Sequence, residues 1–377
     1  MMIVVSLRRH LLITIALVAW QSPLAWSATG PDALVLSQQA VGERYHTLLI
    51  LEQRVDALEV IDLSAHFEDD FSRPLELVAR HGFDELAELA VSLPSQQLPA
   101  SELTITPLLG SAHVAAATNY ADHQEETASD EVFLFPKFGA ATAGQATVAT
   151  GAGILLDYEI EICAIFDRAV ASMADFEAAL KGFYLCSDFT DRAALLRLMN
   201  ATDLASGAGF TDAKSGEGRF AVADRLVVPR DWRSFLDRVP LQLTLNGEVR
   251  QQARGADMIL KLDQIVELAL AAGESDRWRY RGEPVTLLDN GEIAAGQTVL
   301  TGTPGGVLMQ IPSAGYLLLK FLKWLFTLAW LDLSLQEYLV DEFVADSEAE
   351  GVFLRPGDVV DMEAGELGSL SVTVSAE

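Results

Sequence analysis

Basic side chains are scarce in this chain of 377 residues: 26 Lys and Arg stand against 54 Asp and Glu, a formal net charge of -28. A charge of that sign repels phosphate backbones, which excludes nucleic acid, and an anionic membrane, as partners recruited by charge alone. Cysteine is nearly missing; Cys163 and Cys186 are too few for a disulfide framework. There is no internal repeat and no low-complexity tract. Disorder is excluded by what is present, since 50% hydrophobic residues bury enough surface to offset chain entropy. The length allows about two domains. A positive mean hydropathy of +0.24 in so acidic a chain implies that the apolar excess is concentrated in particular segments.

The N-terminus is the first of these. Arg8 and Arg9 precede an apolar stretch from Leu11 to Trp20, followed by Pro23 and the small residues Ala25 and Ser27. That is the order of a secretory signal, with cleavage expected between Ser27 and Ala28. The stretch is short for a spanning helix, although an uncleaved anchor is the alternative. The Arg pair after Ser6 is a weak twin-arginine signal because Leu7 intervenes. Residues 1–27 hold two Arg and no acid, so their removal would leave a net charge of -30. The expected location is exported and periplasmic.

From Tyr45 to Leu63 the stretches HTLLILE and ALEVIDL read as strands, and Pro74 to Leu93 has helical apolar spacing. A small N-terminal α+β module over 28–100 is expected, with the proline-bearing SLPSQQLPASE, 92–102, as its linker. From 101 to 377 many short β-like runs alternate with turns, and helices are expected at Ala174 to Phe183 and Leu262 to Ala272. The fold class is therefore α+β, with a β-rich catalytic domain.

The segment GILLDYEIEICAIF places Glu159 and Glu161 two apart on a strand, hence on one face, among apolar neighbours. Two such carboxylates repel and are costly to desolvate, so a positive partner is required. A hard cation such as Mg²⁺ or Mn²⁺ suits all-oxygen ligands. The plainer alternatives are solvent exposure on an edge strand or pairing with Arg.

Other motifs fall around this strand in a set order. NYADHQEE carries His123 and Glu126 three apart on a helical turn; YLCSDFTDR carries Asp188 and Arg192; DAKSG carries Lys214; then come LNGEVRQQARGADMI, TVLTGTPGG with Thr303, and LRPGDVVDMEAGELGSLSV. In this order, over roughly 110–307 and 353–375, the chain resembles the fumarylacetoacetate hydrolase family.

The resemblance implies a mixed β-roll catalytic domain, a homodimer, and one Mg²⁺ or Mn²⁺ held by Glu159, Glu161 and Asp188. It implies an acid-base pair in His123 and Glu126, Lys214 beside metal and substrate, and Arg192 and Thr303 on the substrate carboxylate. The implied activity is cleavage of a carbon-carbon bond in a 2,4-dioxo acid, an acylpyruvate or fumarylacetoacetate-like compound, through a metal-stabilised enolate. Alternatives are a 2-oxo acid decarboxylase or hydroxy-diene-dioate isomerase on the same scaffold, and a non-catalytic membrane-associated binding protein. Each residue alone has an ordinary reading: a lone His on a turn is usually structural, and a lone Lys solvated. The chain departs from the family at Ala193, Gly216 and Leu308, positions that shape the pocket and leave the substrate open.

Cys163 and Cys186 each lie two residues from an expected ligand. With antiparallel strands and 161 opposite 188, they would face each other, which leaves a cross-strand disulfide as the alternative. The helix-length connection favours parallel pairing, so two packed thiols are expected.

The second apolar segment is an insertion at 308–353. Tyr316 to Leu333 is nearly all apolar and, as one helix, would be about 27 Å long, marginal for crossing a bilayer. Lys320, Lys323 and Thr327 fall on one stripe, which favours an interfacial helix with membrane association through 316–333. Only acids, no basic residue, follow from Asp332 to Glu350, which makes burial in a dimer or against the catalytic domain the rival. A cover over the pocket that admits a lipophilic tail is a further expectation, resting on chain proximity to the TGTPGG loop.

Overall fold

A computed structural model describes residues 26–27, 29–53, 57–68, 73–200 and 202–377. The expected export signal at 1–27 lies outside them except for Trp26–Ser27, which pair antiparallel with Arg44–Gln53.

The architecture is α+β, built on a twelve-stranded mixed sheet and a five-stranded one, both open. Ile160–Phe166 and Lys181–Ser187 lie in the middle of the large sheet and every residue of both is buried. This is why they read as continuous apolar runs: a strand covered on both faces has no solvent side to alternate with. They pair antiparallel, Glu161 opposite Cys186 and Cys163 opposite Tyr184. The expected parallel pairing is therefore corrected. The connection through the helix Met173–Ala178, capped by Ser172 and shorter than expected, returns the chain to the adjacent position in the opposite direction. Cys163 and Cys186 are diagonal neighbours 6.0 Å apart at Cα and form a disulfide. This replaces the expected pair of thiols.

The large sheet runs without a break into the N-terminal segment, because Ala33–Val41 pairs antiparallel with Leu226–Pro229. The stretch expected as a linker is itself pinned: Gln96–Leu98 pairs with Leu58–Asp62, and Leu103–Thr104 with Ala33–Val41. The helical spacing over 74–93 resolves into Pro74–His81 and Phe83–Ser92, broken at Gly82, whose φ of 83° lies outside the helical region. The expected helix Leu262–Ala272 is present, ended by Gly273.

The insertion forms a helical hairpin instead of one long helix. Ala314–Phe326 ends before Leu328, whose left-handed φ of 60° turns the chain into Leu335–Glu350, a helix opened by a Ser334–Glu337 capping box. The second helix buries Val344 with Leu155, Ala193 and Phe353. Of the lysine stripe of the first helix, Lys320 turns inward, reaching Glu342 at 2.8 Å and Asp346 at 2.5 Å, while the half-exposed Lys323 reaches Glu342 at 2.7 Å. The first helix therefore shows solvent its apolar face. Among the described residues no helix is long and apolar enough to cross a membrane.

Candidate active site

Antiparallel pairing of the two central strands delivers the acidic residues to one end of the sheet. Glu159 immediately precedes one strand, Asp188 follows the other, and the Asp188 amide donates to the Glu159 carbonyl at 2.9 Å. Glu159, Glu161 and Asp188 are buried, and one carboxylate oxygen from each lies within 4.8 Å of the others. Lys214 Nζ donates to Glu159 Oε2 at 2.6 Å and to Asp188 Oδ2 at 2.9 Å. Arg192 donates from Nη2 to Glu159 Oε1 at 2.8 Å and from Nε to Asp157 Oδ2 at 2.9 Å. Lys137 completes the ring, donating to Asp188 Oδ1 at 2.7 Å.

The three carboxylates are not equivalent. Burial pushes Glu159 up, but Lys214 and then Arg192 outweigh it and hold it at about 2. Burial, then the charges of Asp188 and Glu159, push Glu161 well above the usual carboxylate range. Among the described residues no cationic side chain forms an ion pair with Glu161; its hydrogen-bond donor is the Gly302 amide, at 2.6 Å. Gly302 holds φ of 92°, and a Cβ there would meet the Asn119 Cβ at 2.8 Å, so glycine is required for the amide to reach the carboxylate. Lys214 is raised: burial alone would lower it, and Asp188 and Glu159 reverse that. Four buried carboxylates, Asp157 included, thus meet three cations in this cluster. The carboxyl left without a cationic partner is Glu161, and it is the one whose ionised form its surroundings disfavour. An all-oxygen set with one carboxyl lacking a cation fits a divalent ion, whose charge would favour the ionised form of Glu161.

His123 and Glu126 lie on the helix Ala121–Thr127, with His123 Nδ1 3.2 Å from Glu126 Oε2. Glu126 is fixed in turn by the Gly306 amide at 2.7 Å, which ties this helix to the TGTPGG loop. Thr303 on that loop accepts from Gln251 Nε2 at 2.9 Å. His123, Glu126, Glu159, Arg192, Lys214 and Thr303 all line one cavity of about 330 Å³. Glu161 and Asp188 do not line it but cluster with Glu159. All eight residues expected from the sequence are thereby brought to one region. Arg192 differs in detail: its guanidinium is engaged by Asp157 and Glu159 rather than held free for a substrate carboxylate.

Sequence reading missed Lys137, Asp157, Gln251 and Gly302. Lys137 had a signal, as the one charge in the apolar run VFLFPKF, on the same strand face as Phe133 and Phe135. Gln251 had none, since it is the single buried residue of an otherwise polar strand, Glu248–Arg254.

The family model described as fumarylacetoacetate (FAA) hydrolase C-terminal matches residues 112–375. The chain belongs to the fumarylacetoacetate hydrolase family. Among relatives, an uncharacterized protein of Pyrococcus horikoshii is 27% identical over 203 residues, 52% of this chain and 76% of the relative. A mitochondrial oxaloacetate tautomerase of Bos taurus is 25% identical over 201 residues, 52% of this chain and 80% of the relative. Among solved structures, the fumarylacetoacetate hydrolase of Exiguobacterium antarcticum superposes with a TM-score of 0.57 at 18% identity, covering 91% of this chain and 100% of that one. A probable 2-hydroxyhepta-2,4-diene-1,7-dioate isomerase of Mycobacterium abscessus gives 0.56 at 19%, covering 91% and 98%. At these identities the structures support the fold. Enzymes of the fumarylacetoacetate hydrolase family are divalent-metal dependent, and the buried triad is a site such an ion could occupy.

Proposed function

We propose that the protein is a metal-dependent hydrolase cleaving a carbon-carbon bond of a 2,4-dioxo acid. The observation that carries this reading is the His123–Glu126 pair facing the same cavity as Glu159 of the carboxylate triad. Mg²⁺ or Mn²⁺ held by Glu159, Glu161 and Asp188 would supply Lewis-acid polarisation of the substrate's 2-oxo group. His123, its Nδ1 side turned to Glu126, offers Nε2 to take a proton from water. The water oxygen adds to the distal carbonyl carbon, and the bond from that carbon to the central methylene breaks. The released electron pair is taken up as the enolate of the 2-oxo acid, and the proton on His123 returns to the methylene carbon. The products are a carboxylic acid and a methyl 2-oxo acid, so one water is consumed and no redox partner is needed. Lys214 and Arg192 offset the charge that develops at the 2-oxo end.

The tautomerase among the relatives and the isomerase among the structural neighbours support a second reading on the same residues, proton transfer beside the 2-oxo group without water addition. Offering Mg²⁺-loaded protein acetylpyruvate and oxaloacetate and following products by NMR separates the two. Acetate and pyruvate are expected from acetylpyruvate, and His123→Ala should slow their release by about 10² to 10⁴. EDTA should stop it and Mg²⁺ or Mn²⁺ restore it. Keto-enol exchange or decarboxylation of oxaloacetate with acetylpyruvate intact would move the assignment. Metal binding with no turnover of any 2-oxo acid would favour a binding protein.

We propose further that the protein is exported, is a homodimer, and associates with a membrane through 316–333. The signal-like N-terminus supports export, and so does the Cys163–Cys186 disulfide, a bond that oxidising compartments preserve. The exposed apolar side of the hairpin, its lysines already neutralised by Glu342 and Asp346, supports contact with uncharged lipid.

A further inference from the structure

The cavity has two chemically distinct ends. At the buried end stand Glu159, Arg192, Lys214, Thr303 and His123. The remainder is walled mainly by apolar side chains, Phe133, Phe135, Phe210, Leu195, Leu196 and Met199 among them, with the uncharged hydroxyls of Thr118, Thr127 and Ser129, and it includes Met309 and the half-exposed Ile311 at the foot of the hairpin. The basic residues of the lining are His123, Arg192 and Lys214, all at the buried end. Arg192 is taken by Asp157 and Glu159, and Lys214 by Glu159 and Asp188. Along the apolar walls there is, among the described residues, no cationic side chain in the lining to meet a second carboxylate, and an unpaired charge left there would be strongly disfavoured.

From this division we infer that the substrate is a monocarboxylate, a 2-oxo acid whose far end is an uncharged apolar tail, and that dioates are rejected. The inference rests on the 2-oxo acid reading of the buried end. It is specific to the walls of this chain: the helix Arg192–Leu198 supplies Arg192 to the acidic end and Leu195 and Leu196 to the apolar one, so a single element sets both halves of the specificity. The hairpin contributes where its entry segment, Met309 and Ile311, extends the apolar wall towards solvent. A tail of several carbons could therefore follow a continuous apolar path out of the site.

The test uses Mg²⁺-loaded full-length protein in two arms. In the first, kcat/KM is compared for acetylpyruvate, hexanoylpyruvate and succinylpyruvate. In the second, calorimetry measures binding of oxamate, N-butyloxamate and N-hexyloxamate, which mimic a 2-oxo acid and need no chemistry. Affinity and kcat/KM should each rise up to about fourfold per added methylene, the equivalent of about 0.8 kcal/mol for a fully buried one. Succinylpyruvate should fall at least tenfold below hexanoylpyruvate. Leu196→Arg, at a half-buried position that tolerates a longer side chain, should erase the gain from the tail and raise the succinyl compound. A flat response to chain length in both arms, or a preference for succinylpyruvate, overturns the inference. If no pyruvate is released from any compound while oxamate affinity still climbs with the tail, the hydrolase reading fails and this one stands. If all three acylpyruvates are cleaved alike, the reverse holds.

Discussion

His113 is a histidine that the fold keeps neutral. It is 1% exposed on the strand Ala112–Ala117, donating from Nε2 to the Gly139 carbonyl at 3.1 Å and accepting from the Thr298 amide on Nδ1 at 3.4 Å. Burial lowers its pKa from 6.5 to about 4, against the Gly139 hydrogen bond and with help from nearby Lys137. The unfolded chain binds a proton near 6.5 and the folded chain refuses it until about 4, so stability is full above pH 6.5 and drains as pH falls to 4. The slope is about 1.4 kcal/mol per pH unit, near 3 kcal/mol in all. Urea midpoints between pH 7 and 4 should show this fall, and His113→Gln, which cannot titrate, should flatten it; equal slopes would assign the acid sensitivity elsewhere. At this scale the sequence was most informative where a residue type carries its own chemistry. Glu159 and Glu161 stood out because two carboxylates on one face of an apolar strand demand a partner, whereas Asp188 was singled out only by the order of the family motifs. His113, Gln251 and Asp157 did not stand out, because what distinguishes them is burial produced by strands far away in the chain.

Elements were legible where one physical period governs them. The all-buried strands and the helix Leu262–Ala272 stand where their patterns put them. The insertion shows where the pattern runs out: apolarity from Tyr316 to Leu333 does not reveal that Leu328 turns left-handed and splits the segment. Nor does composition reveal that the acids after Asp332 fold back onto Lys320 and Lys323, leaving Leu319 64% and Phe326 78% exposed. A face that apolar, with its cations internally paired, should bind phosphatidylcholine vesicles with little dependence on salt, because no counterions are released. Flotation with such vesicles should carry the full-length protein, and Leu319→Glu with Phe326→Glu, both exposed and hence cheap to the fold, should leave it in solution. If the wild type stays behind while light scattering shows those substitutions splitting a dimer, the face belongs to a second copy of the chain.

The whole molecule is organised around the central antiparallel strand pair, and here strand direction was the information missing from the sequence. A connection of helical length is compatible with either direction; the central pair sits between the antiparallel pairings of Lys181–Ser187 with Leu226–Pro229 and of Ile160–Phe166 with Val299–Leu300, contacts that no local pattern encodes. Direction in turn brings Cys163 and Cys186 together, each two residues from a carboxylate of the triad, so the bridge ties the two strands that carry the site. Closing the loop between cysteines 23 apart in sequence should stabilise the fold by about 3 kcal/mol in the chain-entropy account. Both sulfurs belong to residues with no solvent exposure, so a reductant can reach them only after the sheet opens. Protein purified without reductant should therefore show no alkylatable thiol when native, and keep its urea midpoint after hours in dithiothreitol. Reduction in urea followed by refolding should lower the midpoint to that of the Cys163→Ala, Cys186→Ala variant. Two thiols in protein recovered from the periplasm and unfolded without reductant, or one midpoint for oxidised and reduced chains alike, would remove the bridge from this account and with it the structural support for export. The double variant retains every carboxylate of the triad, so a loss of Mg²⁺ affinity in it, measured apart from stability, would show that the bridge also holds Glu161 and Asp188 at their spacing.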